Sequence, residues 1–337
     1  MAGPKLRIYC ETLPFERVVD ARTITLLQRH GLEIVLAVRP WQLGELPDVA
    51  RALADAGVAV SIWPMLADHE GRWASAHNAP SFVRFVNAAA DALTAAGVSA
   101  HEVLLDLEPP FAHARALAVG GGSDREVAGG TAAVLGAARP RATSAAAMDA
   151  ASAELATAVA ELHRRGINTA SAVWPLVALD PPGERGWQAL LGTPVDALAT
   201  ERVSVMMYTS ILEGWSRGTI RRRDATALLA AASTRVVRRW GDRAGVSLGC
   251  VGAGALVDEP VYRDPSELAE DVAITRAGGI TDLSLFDLGG VLAREPAEAW
   301  LDAFAHGAET LSSSTSKRVI AARRLARVAT WALGKKR

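Results

Sequence analysis

The chain has 337 residues, half of them hydrophobic and 22% charged, with a net charge of −1. It is long enough to bury a large core, and no overall field draws it towards nucleic acid, which is not expected as a partner. The two cysteines, Cys10 and Cys250, sit in apolar runs, which argues against a disulfide framework or a zinc site.

The opening "MAGPKLRIYCET" shows no apolar core behind a basic start, and no run of about 18 apolar residues occurs, so neither a signal peptide nor a membrane span is predicted and the expected location is cytoplasmic. Eight short apolar runs follow in order: 6–11, 32–38, 58–64, 102–108, 167–175, 202–208, 246–252 and 282–288. They are continuous rather than alternating in polarity, as in strands buried on both faces of a parallel sheet. Several follow a helical stretch that ends in glycine: "RHGLEIV", "DAGVAVS", "AAGVSAHEV", "RRGINTA", "RAGVSLG" and "AGGITDLSL". A glycine at a helix C-cap followed by a strand marks an αβ loop. Eight such units over residues 1–311 predict a (β/α)8 barrel. No G-x-G-x-x-G follows the first strand, which weakens an open dinucleotide-binding sheet, and no cofactor is expected.

Two segments exceed the minimal barrel. Residues 109–147 form a Gly-rich insert between the fourth strand and its helix at about 148–165, on the side where substrate walls and lids are built. After the last barrel helix, at about 295–311, a serine-rich linker (312–316) leads to "KRVIAARRLARVATWALGKKR" (317–337). That tail has eight Lys or Arg and no acidic residue, leaving about −9 on the rest of the chain. Val319, Ile320, Leu325, Val328, Trp331 and Leu333 give it an apolar component at helical spacing. A basic amphipathic helix of this kind suits an anionic membrane surface, which adds peripheral membrane attachment to the expectations.

In such barrels chemistry gathers at the C-terminal strand ends. Reading those ends gives Glu11, Arg39, Trp41, Trp63, Asp106, Glu108, Trp174, Tyr208 and Asp287, with Asp68 and His69 just beyond the third. In "EVLLDLEPP" (102–110), Asp106 and Glu108 are two apart, so both face the interior, one layer apart. Two interior carboxylates push their pKa values apart, and one can hold a proton near neutral pH. Trp41, Trp63 and Trp174 lie around one rim, with Trp73, Trp187 and Trp215 in nearby loops or early helices. Flat indoles stack on the CH-rich faces of pyranose rings.

"LLDLE" on the fourth strand and "MMY" on the sixth resemble the motifs of the chitinase-like, family 18 glycoside hydrolases. The resemblance implies Glu108 as proton donor to the glycosidic oxygen. It implies Asp106 as the group that orients and stabilises an N-acetyl group attacking the anomeric carbon, and Tyr208 as a hydrogen-bond donor to that group. Glu11, Arg39, Trp41, Trp63, Trp174 and Asp287 are then the candidate substrate-binding residues. This sequence has apolar residues where the family carries further aspartates on strand four. Thr209 follows the tyrosine, and Phe286 and Asp287 replace a tryptophan on strand eight.

Two alternatives remain open at this point. One is a catalytically silent barrel that binds a glycan or a lipid head group. The other is a metal-dependent phosphodiesterase, lyase or isomerase in which Glu11, Asp106, Glu108 and Asp287 hold Mg²⁺ or Ca²⁺ and Arg39 holds a phosphate. No H-x-H or H-x-D pair sits at a strand end, so no metal is expected in the glycosidase reading.

Overall fold

The structure is a computed structural model. It describes residues 5–111, 114, 142–216, 218–254, 258–309 and 316–334. Eight strands, β1 (Lys5–Cys10), β2 (Glu33–Val38), β3 (Val60–Pro64), β4 (Glu102–Leu107), β5 (Asn168–Val173), β6 (Arg202–Met207), β7 (Ala244–Gly249) and β8 (Asp282–Phe286), pair in parallel with their neighbours. β8 returns to β1 and closes the barrel. The expected (β/α)8 architecture is the observed one.

Among the described residues the helices in chain order are α1 (Phe15–Val18), α2 (Ala21–Arg29), α3 (Leu46–Asp55), α4 (Ala79–Ala95), α5 (Ala145–Arg164), α6 (Gly186–Leu191), α7 (Thr209–Trp215), α8 (Arg222–Trp240), α9 (Pro265–Ala277), α10 (Leu288–Ala293), α11 (Ala297–His306) and α12 (Lys317–Gly334). The glycine signals mostly hold: Gly31, Gly57, Gly97, Gly166 and Gly279 have φ of +60° to +93°, a region costly for any residue with a Cβ. "RAGVSLG" is different. Its Gly245 lies inside β7, where a Cβ would come within 3.3 Å of Asp282 Oδ1, and Gly241 (φ +56°) ends α8 instead. The insert of 109–147 falls largely outside the described residues, as does most of the 312–316 linker.

Side chains alternate between two cores. Ile8, Leu36, Val103, Leu105, Val205 and Leu285 point outward into the layer shared with the helices. Tyr9, Val35, Ala37, Trp63, Leu104, Ala172 and Phe286 fill the barrel. The interior is polar at its N-terminal end. Arg7 is 2%, Glu102 3% and Arg202 4% exposed. Arg202 Nη2 lies 2.6 Å from Glu102 Oε1, Arg7 Nη1 2.6 Å from Asp282 Oδ2, and Arg7 Nε 3.0 Å from Glu33 Oε2. Above this layer the Tyr9 hydroxyl meets Ser247 Oγ at 3.1 Å, and Ser247 meets Ser204 Oγ at 2.8 Å.

α12 is docked along the flank of the barrel. Ser316 Oγ donates to Asp224 Oδ1 at the start of α8, and Arg318 Nη1 donates to the Thr219 carbonyl at 2.7 Å. Trp187 Nε1, fully buried on α6, donates to Thr330 Oγ1 at 2.9 Å. Gly186 lets the helix end approach closely, since a Cβ there would stand 2.9 Å from Leu333 Cβ.

A buried ion pair broken on one side leaves an uncompensated charge. Glu102→Leu is expected to cost about 3–5 kcal/mol, read as a lower urea midpoint at unchanged slope. Adding Arg202→Met should recover much of that loss, because the orphaned charge goes with it.

Candidate active site

β4 brings its inward line to the mouth: Leu104, then Asp106 at 1% exposure, then Glu108 at 9% just past the strand. The two carboxyl groups lie close enough to sense each other's charge. Each also accepts from an indole: Trp63 Nε1 donates to Asp106 Oδ2 at 3.2 Å, and Trp174 Nε1 donates to Glu108 Oε2. Asp106 Oδ1 is buried with no other donor. Burial pushes Asp106 well above the usual carboxylate range, and the neighbouring Glu108 and Glu11 charges add to it. Burial raises Glu108 to about 8, the Trp174 N–H opposes the rise, and the charges of Glu11 and Glu259 reinforce it. Holding a proton on the pair is therefore favoured, since two close buried carboxylates resist ionising together.

The wall over this pair is the loop after β3. Ala74 bridges to Leu107, and its N–H donates to the Asp106 carbonyl at 2.8 Å. Within it Arg72 adopts φ +58°, a left-handed conformation rare for a side chain of its size, and is 7% exposed. Its guanidinium reaches Glu11 Oε1 at 2.9 Å and grips both oxygens of Asp68 at 2.8 and 3.0 Å. Its carbon lies 4.3 Å from the centroid of the Phe111 ring. Asp68 in turn accepts from Arg39 Nη2 at 3.1 Å, and Arg39 lies 5.5 Å over the ring of Trp41, which is 67% exposed. A chain of alternating charge, Glu11–Arg72–Asp68–Arg39, thus borders the mouth and ends on an open indole. Burial raises Glu11 to about 7 even though Arg72 favours its ionised form. Hydrogen bonds from Arg72 hold Asp68 below its ordinary value.

The opposite wall is aromatic. Tyr208 follows β6 with its ring 5.6 Å from Phe286, and Phe286 lies 6.1 Å from Tyr9. Tyr9 meets Trp63 edge-on at 5.1 Å. Burial holds the Tyr208 phenol protonated far above its usual range, with Asp106 and Glu108 among the charges it senses. The residue after it, Thr209, turns away from the mouth: its Oγ1 donates to Asp271 Oδ2 and accepts from Arg222 Nη1 at 3.0 Å.

Asp106, Glu108, Trp63, Trp174, Tyr208 and Glu11 therefore converge, with Arg39 and Trp41 further out along the rim. Asp287 is held by a helix cap, although Glu11 senses its charge. It lies one residue beyond the inward-facing Phe286 and caps α10, its Oδ1 accepting from Gly290 N at 2.9 Å. The carboxylate ring for a divalent cation does not assemble, because Glu11 is engaged by Arg72 and Asp287 by the helix cap. Among the described residues no three His, Cys, Asp or Glu side chains are grouped to hold a metal ion. Trp187 supports α12, and Trp73 is buried beside Phe111 at 5.6 Å. Arg72 escaped the sequence reading, and Phe286 entered it only as a residue standing in place of a strand-eight tryptophan. Phe286 was within reach of period-two counting from Asp282, but a single arginine in the loop "DHEGRWAS" carries no pattern.

No family model and no curated protein matches the chain. Among solved structures, the glycoside hydrolase domain of PgaB (BpsB) from Bordetella bronchiseptica superposes with a TM-score of 0.51 at 15% identity, covering 93% of this chain and 100% of that one. The class V chitinase from Nicotiana tobaccum gives 0.50 at 12%, covering 90% and 99%. A D-allulose 3-epimerase from Methylomonas sp. gives 0.46 at 14%, covering 86% and 87%. At these identities the likeness to the two hydrolases is one of fold, a (β/α)8 barrel over nearly the whole chain.

The raised carboxyls set a sign for stability. Glu108 is ordinarily ionised above about 4.5 but in the fold keeps its proton to about 8. The folded chain then holds protons that the unfolded chain has released, so stability present below the lower value is lost as pH rises through the upper one. Glu11 acts in the same direction up to about 7. Urea midpoints should fall across this window, and the fall should be shallower in Glu108→Gln; an equal slope in both would contradict the assignment.

Proposed function

We propose that the chain is a glycoside hydrolase-like enzyme acting on a glycan, with Glu108 as the general acid. What supports this reading is the buried Asp106–Glu108 pair at the C-terminal end of β4, whose carboxyls burial pushes above the usual range. A general acid needs a pKa near the working pH and a place at the leaving group. Asp106 favours a proton on the pair and, in a substrate bearing an N-acetyl group, stabilises the group as it attacks the anomeric carbon. The protonated Tyr208 phenol is a donor for the same group. Trp41 offers an open indole face at the rim for a sugar ring, and Trp174 orients Glu108 through its N–H. The proton donated to the glycosidic oxygen comes from Glu108, and a water that completes hydrolysis returns one to it.

The direct test is turnover of N-acetylated and plain chromogenic glycosides, with and without EDTA, for wild type and Glu108→Gln. The expected result is turnover indifferent to EDTA that falls about 10²–10⁴-fold in the variant. Full activity in Glu108→Gln would remove the proposal. Binding of a glycan without turnover would move the reading to a silent glycan-binding barrel.

A second test concerns the acid's pKa. Activity should decline as pH rises through about 8. Trp174→Phe deletes the N–H that favours the ionised form, so the alkaline limb should move to higher pH. A limb that moved down would show that Trp174 does not set the proton on Glu108.

A further inference from the structure

Helix α12 presents two opposite stripes. The inner one, Val319, Ala326, Thr330 and Leu333, faces α6 and α8. It is fixed by the Trp187–Thr330 hydrogen bond and by the close approach at Gly186. The outer one repeats at i, i+4, i+7, i+8 and i+11: Ile320, Arg324, Arg327, Val328 and Trp331. Ile320 is 51%, Val328 62% and Trp331 61% exposed, and both arginines are exposed. Most of the large hydrophobic side chains exposed among the described residues are therefore on this one helix. The helix propensity of the segment does not require them there, since alanine would serve better.

We propose that this outer face seats on an anionic lipid surface, with the barrel held against the membrane along its flank. Segment 317–337 carries eight basic residues and no acidic one, which is the complement of an anionic leaflet. Its arginines alternate with bulky apolar side chains on one stripe. A headgroup layer receives both at once, the guanidinium at the phosphates and the apolar groups at the acyl boundary. A nucleic-acid backbone would take the arginines but leaves Ile320 and Val328 nothing to bury against. The helix is docked rather than loose, so it presents the stripe already ordered. No helix of the described residues is long and apolar enough to cross a membrane, and contact is with the surface only.

The test is flotation of the full chain with phosphatidylcholine vesicles, with and without phosphatidylserine. It compares wild type, Arg324→Glu/Arg327→Glu and Val328→Ser/Trp331→Ser. All four positions are exposed, so unchanged circular dichroism and urea midpoints should accompany each variant. Wild type should float only with the anionic vesicles. The charge variant should lose at least about 25-fold in partitioning, and the apolar variant at least about tenfold at unchanged charge. Equal flotation of all three proteins, or equal flotation with neutral vesicles, would overturn the proposal. So would an apolar variant that floats like wild type. Duplex DNA binding weakened by the charge variant and untouched by the apolar one would assign the face to nucleic acid instead. Dissociation of a dimer by the apolar variant would assign it to a second copy of this chain.

Discussion

A carboxylate removed from water must be neutralised, and it can be neutralised by a cation or by a proton. β4 uses one solution at each end. Its inward line starts at Glu102 and ends at Asp106 and Glu108. At the bottom, Arg202 and Arg7 reach Glu102 and hold it ionised, below its ordinary value, against the burial that would raise it. At the mouth, among the described residues, Arg72 and Arg39 pair with Glu11 and Asp68, and no arginine forms an ion pair with Asp106 or Glu108. A proton is what remains. The same strand and the same residue chemistry thus give a structural ion pair at one end and a proton reservoir at the other, and the placement of arginines decides which.

The tryptophans show a similar division between packing and exposure. Trp63 and Trp174 turn their N–H groups onto the carboxyl pair, and the body of Trp63 fills the barrel beside Tyr9. Their indoles satisfy buried acceptors that would otherwise cost about 1–3 kcal/mol each if left unmade. Trp41 alone of the three is largely open, held over Arg39 at the end of the charged rim. One rim of indoles in the sequence resolves into two orienting donors and one exposed face.

Most of the barrel was legible in the sequence because buried parallel strands are continuous apolar runs and αβ loops need left-handed glycines. β7 was displaced by two residues because Gly245 serves close packing rather than a helix end. The Asp106–Glu108 pair was legible because strand alternation fixes which residues share a face. The cap formed by Asp287 was not, because a residue just past a strand looks the same in a list of strand ends as one on it, and only the start of α10 gives it that task. Arg72 was not legible either. Its role depends on a loop folding back from β3 onto β4, a long-range contact that no local spacing encodes. The ionic layer at the barrel's foot was hidden for the same reason: Arg7, Glu102, Arg202 and Asp282 come from four strands far apart in the chain.

That ionic layer has a consequence for traffic. Arg7, Arg202 and their carboxylate partners, with the Tyr9–Ser247–Ser204 hydrogen bonds above them, stopper the cylinder at one end. That end is closed by side chains, so the route to Asp106 and Glu108 lies on the side of the C-terminal strand ends. Solvent protons must reach the buried pair from that side too. Whatever covers that side would therefore also govern how the pair exchanges protons with solvent.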